Sequence, residues 1–154
     1  MLRLALFILL LASPAAAQSI PVHGNWCGPG YSGGYAAGGY GPAPAPPTDP
    51  LDAACMRHDT CKAYRGQFDC GCDLGLMREL RASRWPNPGI EAKARAIYEA
   101  IGMTPCSSPD GYALKMALIT GDWADDVASG RQAPWEILNR LSRLAGDGLA
   151  YSRW

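Results

Sequence analysis

Asp52-Ala53-Ala54-Cys55-Met56-Arg57-His58-Asp59-Thr60-Cys61 is a short stretch dense with signals. Just before it, Asp49 suits a helix N-cap and Pro50 suits the first helical position. Asp52 then falls in the first turn, where the helix dipole favours a negative charge. Gly66 supplies a stop, so a helix is expected from Pro50 to about Arg65. Cys55 lies three residues from His58 and four from Asp59, so all three share a face. Cys55 and Cys61 can tie this helix to its surroundings on either side of the His58-Asp59 pair. A helix pinned in that way holds an imidazole and a carboxylate with little freedom, as a working site requires.

Outward from this helix the chain reads as mainly α. A second helix is expected from about Cys70 to Ser83, with Leu74, Met77 and Leu80 forming an apolar stripe. The link between the two is short, which favours antiparallel neighbours. Asn87-Pro88 opens a helix to about Gly102, Ser108-Pro109 one to about Ile119, and Ala133-Pro134-Trp135-Glu136 one to about Ala145. Upstream, Gln18 to Pro47 is rich in Gly, Pro, Tyr and Ala. Its section Tyr31 to Gly41 offers little capacity for regular structure, and Pro42 to Pro47 should be extended and stiff. No alternating strand pattern and no internal repeat is present.

The chain starts with Arg3, an apolar run from Leu4 to Ala12, and Ala15-Ala16-Ala17. That order of charge, apolar core and small residues reads as a secretory signal over residues 1–17, cleaved after Ala17. Residues 18–154 then form one domain, with residues 31–47 as a Gly/Pro-rich loop. The expected location is secreted or periplasmic. All six cysteines follow the leader, and an exported domain with an even number of them implies disulfides, with the connectivity left open. The chain carries 14 Lys and Arg against 14 Asp and Glu, with only Arg3 in the leader. Such a balance argues against a nucleic-acid partner, which needs a concentrated positive field.

Three features bear on His58. Asp73 opens the second helix and, in an antiparallel pair, can approach the imidazole. A carboxylate on one ring nitrogen fixes the tautomer and frees the other nitrogen as a base. Trp26-Cys27-Gly28-Pro29-Gly30 precedes the first helix, and its two glycines permit a backbone whose carbonyls turn toward one point. Calcium, a hard cation, takes carbonyl and carboxylate oxygens of this kind. Cys70-Gly71-Cys72 cannot easily bridge to itself, so its members should reach different partners.

The order Trp26-Cys27-Gly28-x-Gly30, then Leu51-Asp52-x-x-Cys55-x-x-His58-Asp59-x-Cys61, then Cys70-x-Cys72-Asp73 resembles the secreted phospholipase A2 family, in a prokaryote-like form. The likeness covers roughly Trp26 to Arg81. It implies a disulfide-linked antiparallel helix pair carrying the active site, an N-terminal calcium loop and additional C-terminal helices. The implied activity is calcium-dependent hydrolysis of the sn-2 ester of glycerophospholipids. In that reading His58 is the base, Asp73 orients it, and the Gly28 amide helps hold the developing oxyanion. Asp59 and the carbonyls of Trp26, Gly28 and Gly30 hold Ca2+. The implied bridges are Cys27–Cys55 and Cys61–Cys72, and with them Cys70–Cys106. The expected partner is a phospholipid membrane surface, met by a monomer.

Departures from the family pattern are also visible. Animal members often pair a cysteine at the position of Ala54 with one at that of Glu79; here both are absent together. Lys62 stands where the family usually has the tyrosine that supports the orienting carboxylate, leaving Tyr64 or Tyr98 as substitutes. Tyr31 replaces a common glycine. Tyr31, Tyr35 and Tyr40, and the five tryptophans, are candidates for membrane contact. His23 reads as a surface residue. Two alternatives stand beside the hydrolase: a catalytically weak, disulfide-rich binding module of the same shape, and a structural zinc domain using Cys55, His58, Cys61 and the Cys70/Cys72 pair.

Overall fold

The computed structural model describes residues 19–36 and 43–151, the last two by backbone alone. The expected leader, Tyr40 and Trp154 lie outside these residues. Five helices are present among them: α1 (Pro50–Arg65), α2 (Cys70–Ala82), α3 (Pro88–Met103), α4 (Pro109–Ala128) and α5 (Glu136–Tyr151). No described helix is long and apolar enough to cross a membrane.

Local chemistry sets the helix starts. The Asp49, Asp69, Asn87 and Ser108 side chains each accept from a backbone N–H of the first turn, those of Asp52, Cys72, Ile90 and Gly111. The ends are less local. Helix α4 was expected to stop near Ile119 but continues through Gly121 to Ala128. Its extra turns are anchored by Asp122, which accepts from Tyr98 Oη at 2.7 Å, and by Asp126, which meets Arg95 at 3.2 Å. Helix α5 likewise passes Ala145. Gly148 there is a packing device: a Cβ would lie 2.3 Å from Ile20 Cγ2.

Helices α1 and α2 run antiparallel, because Cys61 bonds Cys72, His58 meets Asp73 and Arg57 meets Glu79. The last contact is an ion pair between the exposed Arg57 and the half-buried Glu79. The α2 stripe differs from the expected one: Leu76, Met77 and Leu80 are buried, whereas Leu74 is only half-buried. Helical spacings of three and four, rather than a strict three, keep the stripe on one face. These residues meet Leu51, Ala54, Ala94, Ile97, Tyr98 and Ile119 in one core. Helix α5 packs on α3. The two are held by the buried Arg140, whose Nε donates to Glu99 Oε2 at 3.1 Å.

The glycine-rich zone carries more order than its composition suggests. Tyr31–Ser32 (β1) and Tyr35–Ala36 (β2) form an antiparallel hairpin. Gly33 and Gly34 at its tip have φ of 63° and 83°, as a two-residue turn between twisted strands requires. His23 is not a free surface residue either, since its Nε2 lies 2.7 Å from Asp49 Oδ2.

Asp52 does more than favour a dipole. It is fully buried and accepts from the backbone N–H groups of Asn25 at 2.8 Å, Trp26 at 2.7 Å and Thr48 at 2.9 Å. One carboxylate thus fastens the N-terminal loop and the approach to α1 onto the helix. Asp52→Ala strands the buried Trp26 N–H and takes the acceptor from the part-buried Asn25 and Thr48 N–H groups, so it is expected to lower the unfolding free energy by about 1–3 kcal/mol. Denaturant titration with the disulfides intact measures this.

Candidate active site

Three disulfides organise the region: Cys27–Cys55, Cys61–Cys72 and Cys70–Cys106, as the resemblance implied. None of the six sulfurs is left as a thiol, which removes the zinc alternative because thiolates would be its ligands. The first bond brings the loop 26–30 against the middle of α1. The second clamps α1 to the start of α2. The third draws the turn between α3 and α4 onto α2, where the Ser107 N–H also donates to the Phe68 carbonyl at 2.8 Å.

A cleft of about 490 Å3 opens where these parts meet. Trp26, Gly28, Gly30 and Ser32 line it from the loop side, and His58, Asp59 and Lys62 from α1. Its apolar walls include Phe68, Leu76, Ile97 and Ile101. The two loop glycines adopt φ of 155° and 66°. Gly28 is also sterically required, since a Cβ would stand 2.1 Å from the Ile20 carbonyl oxygen.

His58 is 8 % exposed and Asp73 behind it 3 %. His58 Nε2 lies 2.9 Å from Asp73 Oδ1. With the Nε2 proton donated to that carboxylate, Nδ1 carries the free lone pair. Nδ1 lies 3.7 Å from Asp59 Oδ1, beyond hydrogen-bond length. The other Asp59 oxygen accepts from Ser32 Oγ at 2.5 Å. Burial disfavours the imidazolium, but the Asp59 and Asp73 carboxylates outweigh it and raise the His58 pKa above its ordinary value.

Asp73 itself is supported by lysine, not by tyrosine. Its Oδ2 accepts from Lys115 Nζ, a side chain with no solvent exposure that also donates to the Thr104 carbonyl at 2.7 Å. Lys62 Nζ stands 4.0 Å from Asp73 Oδ1. The two tyrosines considered as substitutes are elsewhere: Tyr64 is 87 % exposed and Tyr98 bonds Asp122. Lys115 went unnoticed in the sequence, although it is the lone charge between Gly111 and Gly121. A solitary cation one turn from the core residue Ile119 was the available signal.

Among the described residues no three His, Cys, Asp or Glu side chains converge as a metal cluster. Any cation here would therefore depend on one carboxylate, Asp59, plus backbone carbonyls. That donor set is all hard oxygen and suits calcium rather than a softer metal. Of the residues proposed for membrane contact, Trp26 is buried and its Nε1 donates to the Ala45 carbonyl. Trp123 Nε1 donates to the Pro134 carbonyl. Trp135 and Tyr35 are exposed, and so are Tyr64 and Phe68, which were not among the residues proposed; Phe68 also lines the cleft.

A larger groove of about 610 Å3 lies between α3, α4 and α5, lined by five arginines. Each arginine meets a carboxylate: Arg81 with Asp122, Arg95 and Arg140 with Glu99, Arg131 with Asp125 and Arg143 with Glu136. It is a neutralised network that ties the helices together.

The chain matches no protein-family model, no curated protein and no solved structure.

Burial would raise the Asp73 pKa, but hydrogen bonds from His58 and Lys115 and the charges of Lys115 and Lys62 hold it below the usual carboxylate range. A lowered pKa in the folded state adds stability above the unfolded value of about 3.9, and that stability is lost as pH falls through the folded value. The stability advantage of the wild type over Asp73→Asn is therefore expected to shrink as the pH falls from about 5 through the unfolded value and below it. Denaturant unfolding of both proteins across that range measures it.

Proposed function

We propose that the chain is an exported, calcium-dependent phospholipase A2. The observation that carries this reading is the buried His58–Asp73 pair, 2.9 Å apart, with Nδ1 3.7 Å from Asp59 and the loop 26–30 lining the same cleft. A lone His-Asp pair occurs in many structural settings. A base aimed into a cleft with a hard-oxygen donor set beside it suits ester hydrolysis.

In the proposed reaction Nδ1 of His58 takes a proton from water as it attacks the sn-2 ester carbonyl; the ester C–O bond then breaks, and the departing glyceryl oxygen takes that proton from the imidazolium, leaving fatty acid and lysophospholipid. Asp73 holds the ring and stabilises the imidazolium without accepting a proton, as in triad chemistry. Asp59 and the carbonyls of Trp26, Gly28 and Gly30 would hold Ca2+, which supplies charge stabilisation to the developing oxyanion. The Gly28 amide is the second donor there. Phe68, Leu76, Ile97 and Ile101 give the cleft an apolar wall fitted to an acyl chain. Phe68 and Tyr64, exposed at the α1–α2 link, present aromatic rings to a phospholipid surface.

Two measurements test this. Fatty acid release from phospholipid vesicles should stop on chelation and return with added calcium; activity that survives thorough chelation removes the metal from the mechanism. His58→Gln should lose about 10²–10⁴-fold in kcat while keeping its fold and calcium affinity. A fully active His58→Gln protein would end the base assignment.

A further inference from the structure

Asp73 is a carboxylate almost wholly removed from water, with two oxygens that face different ways. Oδ1 meets His58 Nε2 at 2.9 Å, and Oδ2 meets Lys115 Nζ. An ionised carboxylate so deeply buried requires an opposite charge and filled hydrogen-bond positions. Lys115 supplies both. Its ammonium is itself fixed, because the Thr104 carbonyl at the end of α3 accepts from it at 2.7 Å. The Cys70–Cys106 bond and the Ser107–Phe68 hydrogen bond hold the start of α4 against α2, so Lys115 reaches Asp73 from a braced helix.

We propose that Lys115 is a positioning residue for His58: by gripping the far oxygen of Asp73, it fixes the near oxygen on Nε2 and so sets the tautomer and direction of the imidazole. The inference deepens the hydrolase reading and rests on it for its catalytic consequence, though not for its geometry. Lys62 is less suited to this task. Its Nζ is 4.0 Å from Asp73, beyond hydrogen-bond length, and its side chain keeps 17 % exposure. A free ammonium at that distance adds charge but does not fix an oxygen in place. A purely structural tie between α2 and α4 would need the same ion pair, so the test has to read the imidazole itself.

The experiment compares wild type, Lys115→Met and Lys115→Arg in three ways: thermal melting, vesicle hydrolysis with calcium, and proton NMR of the His58 ring. In the wild type the Nε2 proton, shielded and bonded to a carboxylate, should give a downfield, slowly exchanging resonance. Lys115→Met should lose that resonance to exchange and drop about 10- to 100-fold in kcat with little change in KM, the scale seen when an outer hydrogen-bond partner is removed. Lys115→Arg, which keeps the cation, should retain part of both. A folded Lys115→Met with an unaltered resonance and unaltered kcat overturns the inference.

Should Lys115→Met fail to fold, the comparison moves to Asp73→Asn with and without Lys115→Met, a pair in which no buried carboxylate is stranded. With the carboxylate gone, removing the lysine should change neither kcat nor the ring signals further; an added loss of either overturns the inference. If the wild type hydrolyses no phospholipid, the hydrolase reading fails, and the NMR comparison still decides whether Lys115 holds the ring.

Discussion

A carboxylate nearly closed off from water sits where α1, α2 and α4 meet, and its charge has to be answered from inside the protein. Asp73 receives a hydrogen bond from His58 on α1 and one from Lys115 on α4, while Thr104 at the end of α3 takes a second bond from the lysine. Four helices are thereby set relative to one another around one buried charge. Removing one member leaves a buried ion stranded, which costs several kcal/mol. The Cys61–Cys72 and Cys70–Cys106 bonds hold the backbone so that these partners meet.

A second buried carboxylate governs the other wall of the cleft. Asp52, on the same helix as His58, gathers the N–H groups of Asn25, Trp26 and Thr48. The loop between them has little hydrophobic content of its own to hold it down. It is fastened by this polar anchor, by Cys27–Cys55 and by the buried Trp26 ring. Gly28 and Gly30 then bend the backbone in conformations that side chains oppose. The proposed calcium ligands thus lie on a loop whose shape is set by α1, the helix that also presents His58 and Asp59.

The charged groups divide into two kinds. The network of Arg81, Arg95, Arg131, Arg140 and Arg143 with its carboxylates joins α2, α3, α4 and α5 away from the cleft, and it leaves little net charge to attract a ligand. The cluster of His58, Asp59, Asp73, Lys62 and Lys115 is different. It places a titratable ring and a partly exposed carboxylate at the edge of an opening with apolar walls. That asymmetry is why the smaller opening, rather than the larger, is the candidate for chemistry.

The starts of four helices were legible in the chain itself, because an Asp, Asn or Ser cap acts on N–H groups only two or three residues away. The motif around His58 was legible for the same reason of short range, and the pairing with Asp73 followed from the short link between two helices. Apart from the disulfide pairs, which the resemblance implied, distant contacts were not legible. The expected ends near Ile119 and Ala145 fall short, because Asp122 and Asp126 find partners on α3 and Gly148 packs on Ile20, and such partners lie far away in the chain. The sequence by itself determined the mainly helical fold, the His58-Asp59 helix and the glycine loop before it. Only the tertiary structure decided that a lysine 42 residues away would stand behind Asp73. A buried charge takes whichever partner packing delivers, and local spacing carries no record of that choice.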